Sequence, residues 1–323
     1  MNGGAQAGDP SRVGRAGAPR SRGAEMCFGE RLTRRQHWLR SALTSGPGIA
    51  WVVVFLVAPL VAIAVISFWT RGAYGEVEHL WTFGNYRRFM GFGLFGYDPL
   101  YPRIIARSLG LGAATAALSV LAGLPLAFFI AGLPERFRPV ALTLVIIPFW
   151  TNLLVRTYAW QILLQAGGFL ARAAAAAGLV DAGAPLYPSA GAVLVGMLCD
   201  YLPFLVLPLY ASVEKIDWTL AEAAADLHAD GLRAFRHAIL PQILPGLVAG
   251  VILVFVPATG QFVIPDLLGG AKTVMLGNAI AQQFGPSRDW PFGSAIACLG
   301  MALVMLGLWA YARAAGRRGQ EVL

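Results

Sequence analysis

Six stretches of this chain, near residues 47–69, 104–131, 139–165, 190–212, 242–265 and 291–312, are almost unbroken runs of apolar residues. Hydrocarbon about 30 Å thick takes roughly 20 helical residues to cross, so each run is long enough to span a bilayer. A β-barrel would show alternation in segments of about ten residues, whereas these runs are continuous. The expectation is an all-α integral membrane protein with about six transmembrane helices. Composition agrees, because only 13% of the 323 residues are charged, about half the share in soluble domains.

The formal charge of +8 would suggest a nucleic-acid partner in a soluble chain, but the placement of the basic residues points elsewhere. Eight arginines, Arg12, Arg15, Arg20, Arg22, Arg31, Arg34, Arg35 and Arg40, precede the first span. An even number of spans returns the C-terminus to the same side, where Arg313, Arg317 and Arg318 lie. Arg136 and Arg138 in one short loop, and Lys215, Arg233 and Arg236 in another, share that side. The positive-inside rule makes it cytoplasmic and accounts for the excess charge without nucleic acid. Both termini are therefore expected inside. Arg71, Arg87, Arg88 and Arg103 fall outside, in a longer loop where the rule is weaker.

Residues 1–46 are rich in Gly, Ala, Pro, Ser and Arg and too poor in large apolar side chains to bury a core, so a disordered basic tail is expected. Met26 is an alternative start, since beginning there keeps the positive flank before the first span. The apolar run that follows is too long for a signal peptide and is read as a retained helix. Residues 71–102 form a long aromatic loop, expected to fold outside as short amphipathic pieces. Residues 316–323 are read as a cytoplasmic tail.

Cys27, Cys199 and Cys298 are far apart, and His37, His79, His228 and His237 show no ligand spacing, so neither disulfides nor a metal site is suggested. There is no G-x-x-x-x-G-K-[ST] phosphate loop, no G-x-S-x-G elbow and no H-E-x-x-H pair. Any energy must come from a partner or an ion gradient.

The exception to the oil is the stretch EAAADLHADGLRAFRHAILP, from Glu222 to Pro241. Leu220–Leu227 is rich in good helix formers. Asp230 and Gly231 supply turn chemistry, and a second short helix is expected over Leu232–Leu240, ending before Pro241. Two short amphipathic helices meeting at a bend on the cytoplasmic face make a knob suited to a cleft in another protein.

This stretch resembles the EAA loop of binding-protein-dependent ABC importer permeases, which has Glu-Ala-Ala, a glycine six residues after the Glu, and a closing Leu-Pro. Glu222, Ala223, Ala224, Leu240 and Pro241 match. His228 stands where the glycine is usual, which predicts a bend displaced toward Gly231, although His accepts a left-handed backbone better than most residues. Four further stretches, PFWTNLLVRTYAW (148–160), LPLYASVEKID (207–217), VPATGQFVIPDLLGGAK (256–272) and RDWPFGSA (288–295), look like permeases of spermidine/putrescine ABC importers. The resemblance covers nearly everything from Ile49 to Tyr311. It implies a type I ABC importer permease fold in the inner membrane, with a coupling loop over 213–241 docked in a groove of the ATPase. The coupling residues are Glu222, Ala223, Ala224, Asp226, His228, Gly231, Leu240 and Pro241. The implied partners are two ATPase subunits, a second permease subunit and an extracytoplasmic substrate-binding protein. ATP and Mg would sit on the ATPases, leaving no cofactor on this chain.

Transport folds place their sites near the mid-membrane, where Gly and Pro break helices and freed backbone faces a cavity. Pro257, Gly260 and Pro265 mark such a place in the fifth span, with Gln261 between them and Asp266 just beyond. Gln261 offers hydrogen bonds without charge. Asp200 is an ionisable residue inside a span, a functional candidate by its cost. It can attract an ammonium group, with Tyr201 stacking on it, or it can cap a helix restarted at Pro203. Arg156 is expected to bond carbonyls or pair with an acid. Trp150, Tyr158 and Trp160 line the path or merely pack. Other small solutes, such as opines, amines or metal complexes, remain open as cargo. An ion-coupled secondary transporter would show inverted repeats and no docking loop, and a membrane enzyme would need a catalytic cluster; neither pattern is present.

Overall fold

The computed structural model describes residues 46–93, 96–178, 180–181 and 183–320. The expected disordered tail, the alternative start at Met26, Cys27 and His37 lie outside the described residues. Two compact units divide at Val61 and Ala62. Helix α1, Gly46–Ile66, is apolar, and its residues 47–62 are exposed.

Among the described residues, four further helices are long and apolar enough to cross a membrane: α3 (Leu100–Gly132), α7 (Ala190–Val213), the rod Gly231–Gly260 and Trp290–Trp309 within α13 (Trp290–Gln320). The remaining expected span, 139–165, is not one straight helix. It is α4 (Arg138–Trp150) followed by α5 (Leu153–Leu164) and α6 (Phe169–Ala176), with the two arms meeting at 91°. Counting that bent pair as one gives six spans.

The elbow has a local cause. Thr151 leaves the helix with an extended backbone, and Asn152, also extended, accepts the Leu154 N–H on its side chain at 2.8 Å. An Asn cap satisfies one of the four N–H groups a new helix leaves orphaned, so a second helix can start in a new direction.

Helices α3, α7 and α10 (Leu240–Gly260) pack on one another and bury the main core, with Met197, Leu205, Val206, Leu209, Ile243 and Val254 fully enclosed. Lipid is as apolar as leucine, so close backbone approach, not water exclusion, holds such helices together. Gly250 is such a contact: a Cβ there would stand 3.1 Å from the Leu205 Cα and carbonyl oxygen. Inside α3, Ser108 and Thr115 donate to the carbonyls of Ile104 and Leu111 one turn back, which satisfies their hydroxyls without water.

The aromatic loop expected over 71–102 folds into two short hairpins, β1 (Thr70–Arg71) with β2 (Val77–Glu78) and β3 (Phe92–Gly93) with β4 (Gly96–Tyr97), flanking α2 (Gly84–Phe89). Phe68 packs on Trp81, Phe83 and Tyr86, and Asn85 ties the loop to the Ser67 and Trp69 carbonyls. Arg88 joins Asp289 at 2.8 Å and lies over the Phe292 ring, so the loop is fastened to the start of α13.

Candidate functional site

The polar stretch begins with α8 (Thr219–Asp226), whose first turn Asp217 caps by accepting from the Thr219 N–H and hydroxyl at 3.0 and 2.7 Å. The bend comes at His228, with φ of +62°, and is not displaced to Gly231. The His228 N–H donates to the Ala225 carbonyl and the Ala229 N–H to the Ala224 carbonyl, at 2.9 and 3.0 Å. These are the two bonds of a Schellman turn, with His228 in the left-handed position that glycine usually fills. Helix geometry explains why the bend stays there: the Ala224 and Ala225 carbonyls need partners at this point. Gly231 instead opens α9 (Gly231–Ala234), capped by Asp230, which accepts the Arg233 N–H at 2.8 Å.

Nor does the second helix end before Pro241. It runs on through a π-helical turn, Phe235–Ile239, into α10, as one rod from Gly231 to Gly260. A proline inside an α-helix loses its N–H and crowds the carbonyl four residues back. The wider π turn directly before Pro241 relieves that crowding. Gln242 then donates to the Ala238 carbonyl at 2.8 Å, and its Oε1 accepts the Asp217 N–H at 2.9 Å, pinning the base of the loop. The loop is thus the end of a membrane rod and not a separate appendage.

Glu222, Ala223, Asp226 and His228 are exposed on this knob, Ala224 is half-buried, and Leu240 and Pro241 sit at the root of α10. Exposed alongside them are Trp218, Leu220, Leu227 and Leu232. Leu227 and Leu232 lie inside the polar stretch, whose charges masked them, and Trp218 and Leu220 lie just before it. The signal was there as large apolar residues in a segment too short and charged to enter lipid. They share the knob with exposed charges of both signs, Glu222, Asp226, Arg233 and Arg236.

The second site lies where the broken helices meet α7. Arg156, near the start of α5, pairs through Nη2 with Asp200 Oδ1 and through Nη1 donates to the Pro148 carbonyl, at the end of α4, at 2.5 Å. Asp200 does not cap a restarted helix, because α7 runs unbroken past Pro203 and Pro208. One residue on, the Tyr201 hydroxyl accepts from Gln261 Nε2 at 3.0 Å and lies 3.4 Å from the Pro257 carbonyl. Gln261 marks the break between α10 and α11 (Val263–Gly269), and its Oε1 accepts the Phe262 and Val263 N–H groups at 2.9 and 3.2 Å. Four of the candidate residues, Arg156, Asp200, Tyr201 and Gln261, therefore join two helix breaks to adjacent residues of one span. Freed backbone groups at such breaks are tolerated where they face protein or a cavity. Trp150 and Tyr158 are not part of the cluster and stand exposed. Asp266 is exposed as well and lines a separate cleft with Phe262, Thr273 and Asn278.

Residues 123–318 match the family described as binding-protein-dependent transport system inner membrane component. The spermidine/putrescine transport system permease protein PotB of Salmonella typhimurium strain SL1344 is 38% identical over 277 residues, 85% of this chain and 94% of that protein. PotB of Escherichia coli K12 is 39% identical over 268 residues, 82% of this chain and 95% of its own length. Among solved structures, a chain of a bacterial ABC transporter that imports the acidic polysaccharide alginate matches with a TM-score of 0.63 at 17% identity, over 89% of this chain and 99% of that one. That likeness is one of fold.

Proposed function

This chain belongs to the binding-protein-dependent transport system inner membrane components, and from that premise we propose that it is a permease subunit of an ABC importer for polyamines, spermidine or putrescine. The chain is a multi-pass membrane protein of the type I importer permease fold. Two ATPase subunits drive it, a second permease completes the pathway, and a soluble binding protein delivers substrate from outside. Both termini lie in the cytoplasm. The chain performs no covalent chemistry, and ATP and Mg stay on the ATPases.

The observation that carries this reading is the continuity of the rod from Gly231 to Gly260. Leu232 is exposed on the rod itself, and Leu227 is exposed across the His228 bend from it, so the knob adjoins the helix that ends in the Gln261 break. Movement of the ATPases against the knob therefore reaches the polar cluster along one helix, in which Pro241, Pro245 and Pro257 each lack a backbone N–H. The expected test is uptake of radiolabelled spermidine and putrescine by cells lacking their own polyamine importers. Uptake that needs this chain, its partner subunits and ATP supports the reading. A correctly assembled, ATP-hydrolysing complex that takes up neither polyamine keeps the importer and removes the substrate.

A further inference from the structure

A cation permease with an arginine at its centre poses a chemical problem. Among the described residues of the spans, Asp200 is the buried acid, and Arg156 already occupies it. Gln261 brings no charge. With Asp200 neutralised, a polyamine would meet no counter-ion there.

The geometry around Arg156 resolves this. The carboxylate is the more enclosed partner, its side chain 8% exposed against 14% for the arginine. The guanidinium bridges two acceptors, Asp200 on α7 and the Pro148 carbonyl at the end of α4. That carbonyl also accepts the Thr151 N–H and hydroxyl at 3.3 and 2.6 Å, and it lies at the negative end of the α4 dipole. Arg156 itself lies near the N-terminal end of α5, where the helix dipole disfavours a cation. Its place is therefore explained by its acceptors and not by its own helix. A buried ion pair contributes little net stability, whereas stripping one partner from the other is costly. An exchange that never leaves Asp200 bare avoids that cost for the carboxylate, while Arg156 keeps its bond to the Pro148 carbonyl.

We infer that Asp200 is a cation-exchange site in the translocation path: an alkylammonium group of the substrate replaces the Arg156 guanidinium on the carboxylate, and Arg156 retreats onto the carbonyl end of α4. Its return then expels the substrate, so the arginine acts as a resident competitor. A primary ammonium suits the exchange, being a compact charge with three donors that can take the oxygen Arg156 vacates. This inference rests on the polyamine reading above.

The test uses the complete transporter in proteoliposomes, with uptake of radiolabelled putrescine measured over a range of concentrations. Asp200→Asn is expected to raise KM about tenfold, the scale of one lost charge-assisted contact. Arg156→Gln should lower KM and kcat together, because the competitor that frees the substrate is gone. The double variant Arg156→Gln/Asp200→Asn is neutral, like the native pair, and should assemble yet keep the raised KM. If the pair only ties helices together, the double variant recovers the wild-type KM, and that result overturns the exchange. The double variant also decides the matter where either single variant fails to assemble. A wild-type complex that carries an uncharged or anionic solute overturns both readings. If it carries a different cation, the polyamine reading fails alone, and a KM for that cation that follows the same pattern supports the exchange while an unchanged one overturns it.

Discussion

Gln261 and Tyr201 meet at 3.0 Å between Nε2 and the phenol oxygen, across two helices, and the same glutamine closes the break in the fifth span with its other end. One side chain thus serves as interhelical tie and helix cap. Gln261→Leu should remove both functions and leave two part-buried N–H groups without their side-chain acceptor, a loss of about 1 kcal/mol. Gln261→Glu keeps an acceptor for those N–H groups, reverses the Tyr201 contact so that the hydroxyl donates, and adds a negative charge at a helix N-terminus. The expectation is a lower thermal unfolding midpoint for the leucine variant and a near-native one for the glutamate variant, read on the purified complex. Equal midpoints would show that the break is held by something else.

His228 sits in the left-handed region at φ of +62° without the freedom of glycine. An L-residue there costs about 1 kcal/mol, most of all a β-branched one. His228→Gly should therefore preserve the Schellman turn and ATP-driven uptake. His228→Val should disturb the turn and cut uptake several-fold while leaving membrane insertion intact. Equal uptake by the two variants would mean that the shape of this bend is irrelevant to coupling.

Glu222 is exposed in the first turn of α8, beside the apolar side chains that crown the knob. Glu222→Arg reverses the acid on a surface expected to meet a basic residue of the ATPase. Like charge in place of opposite charge at an interface costs several kcal/mol. The variant should insert normally but lose co-purification with the ATPase and ATP-driven uptake. Leu227→Asp should do the same through the apolar part of the contact. Native co-purification of both variants would move the docking surface elsewhere.

The parts of this architecture that are properties of one dimension were legible in the sequence. Span length, the position of the basic loops and the one polar interruption at 222–241 need only counting. What escaped depends on the meeting of distant residues or on subtle local geometry. That Arg156 bonds a carbonyl or an acid was legible, but its pairing with Asp200 in particular joins residues 44 apart, and only the packing of α5 on α7 decides it. The elbow at Thr151 and Asn152 carried a sign, since Asn before a helical run is a cap, but the apolar residues on both sides masked it. The π turn before Pro241 left no such sign. Pro241 reads as a terminator in solution chemistry, yet the neighbouring turn absorbs it and the helix continues.

Gly246 is where the rod that carries the knob lies against α7, and it leaves no room for a side chain. A Cβ there would stand 2.8 Å from the Ser212 Cβ and closer still to the Pro208 carbonyl oxygen. Backbone cannot rotate aside as a side-chain tip can, so the helices must separate. Overpacking of this kind costs roughly 1–3 kcal/mol, and here it also shifts the rod that links knob to polar cluster. Gly246→Val should therefore lower the unfolding midpoint and reduce the uptake obtained per ATP hydrolysed, even in complexes that still bind their ATPases. Gly110→Val, at a glycine of α3 with open space around it, is the control and should leave that ratio unchanged. A Gly246→Val complex with native uptake per ATP would show that coupling tolerates displacement of the rod, and would place the transmitting contact outside α10.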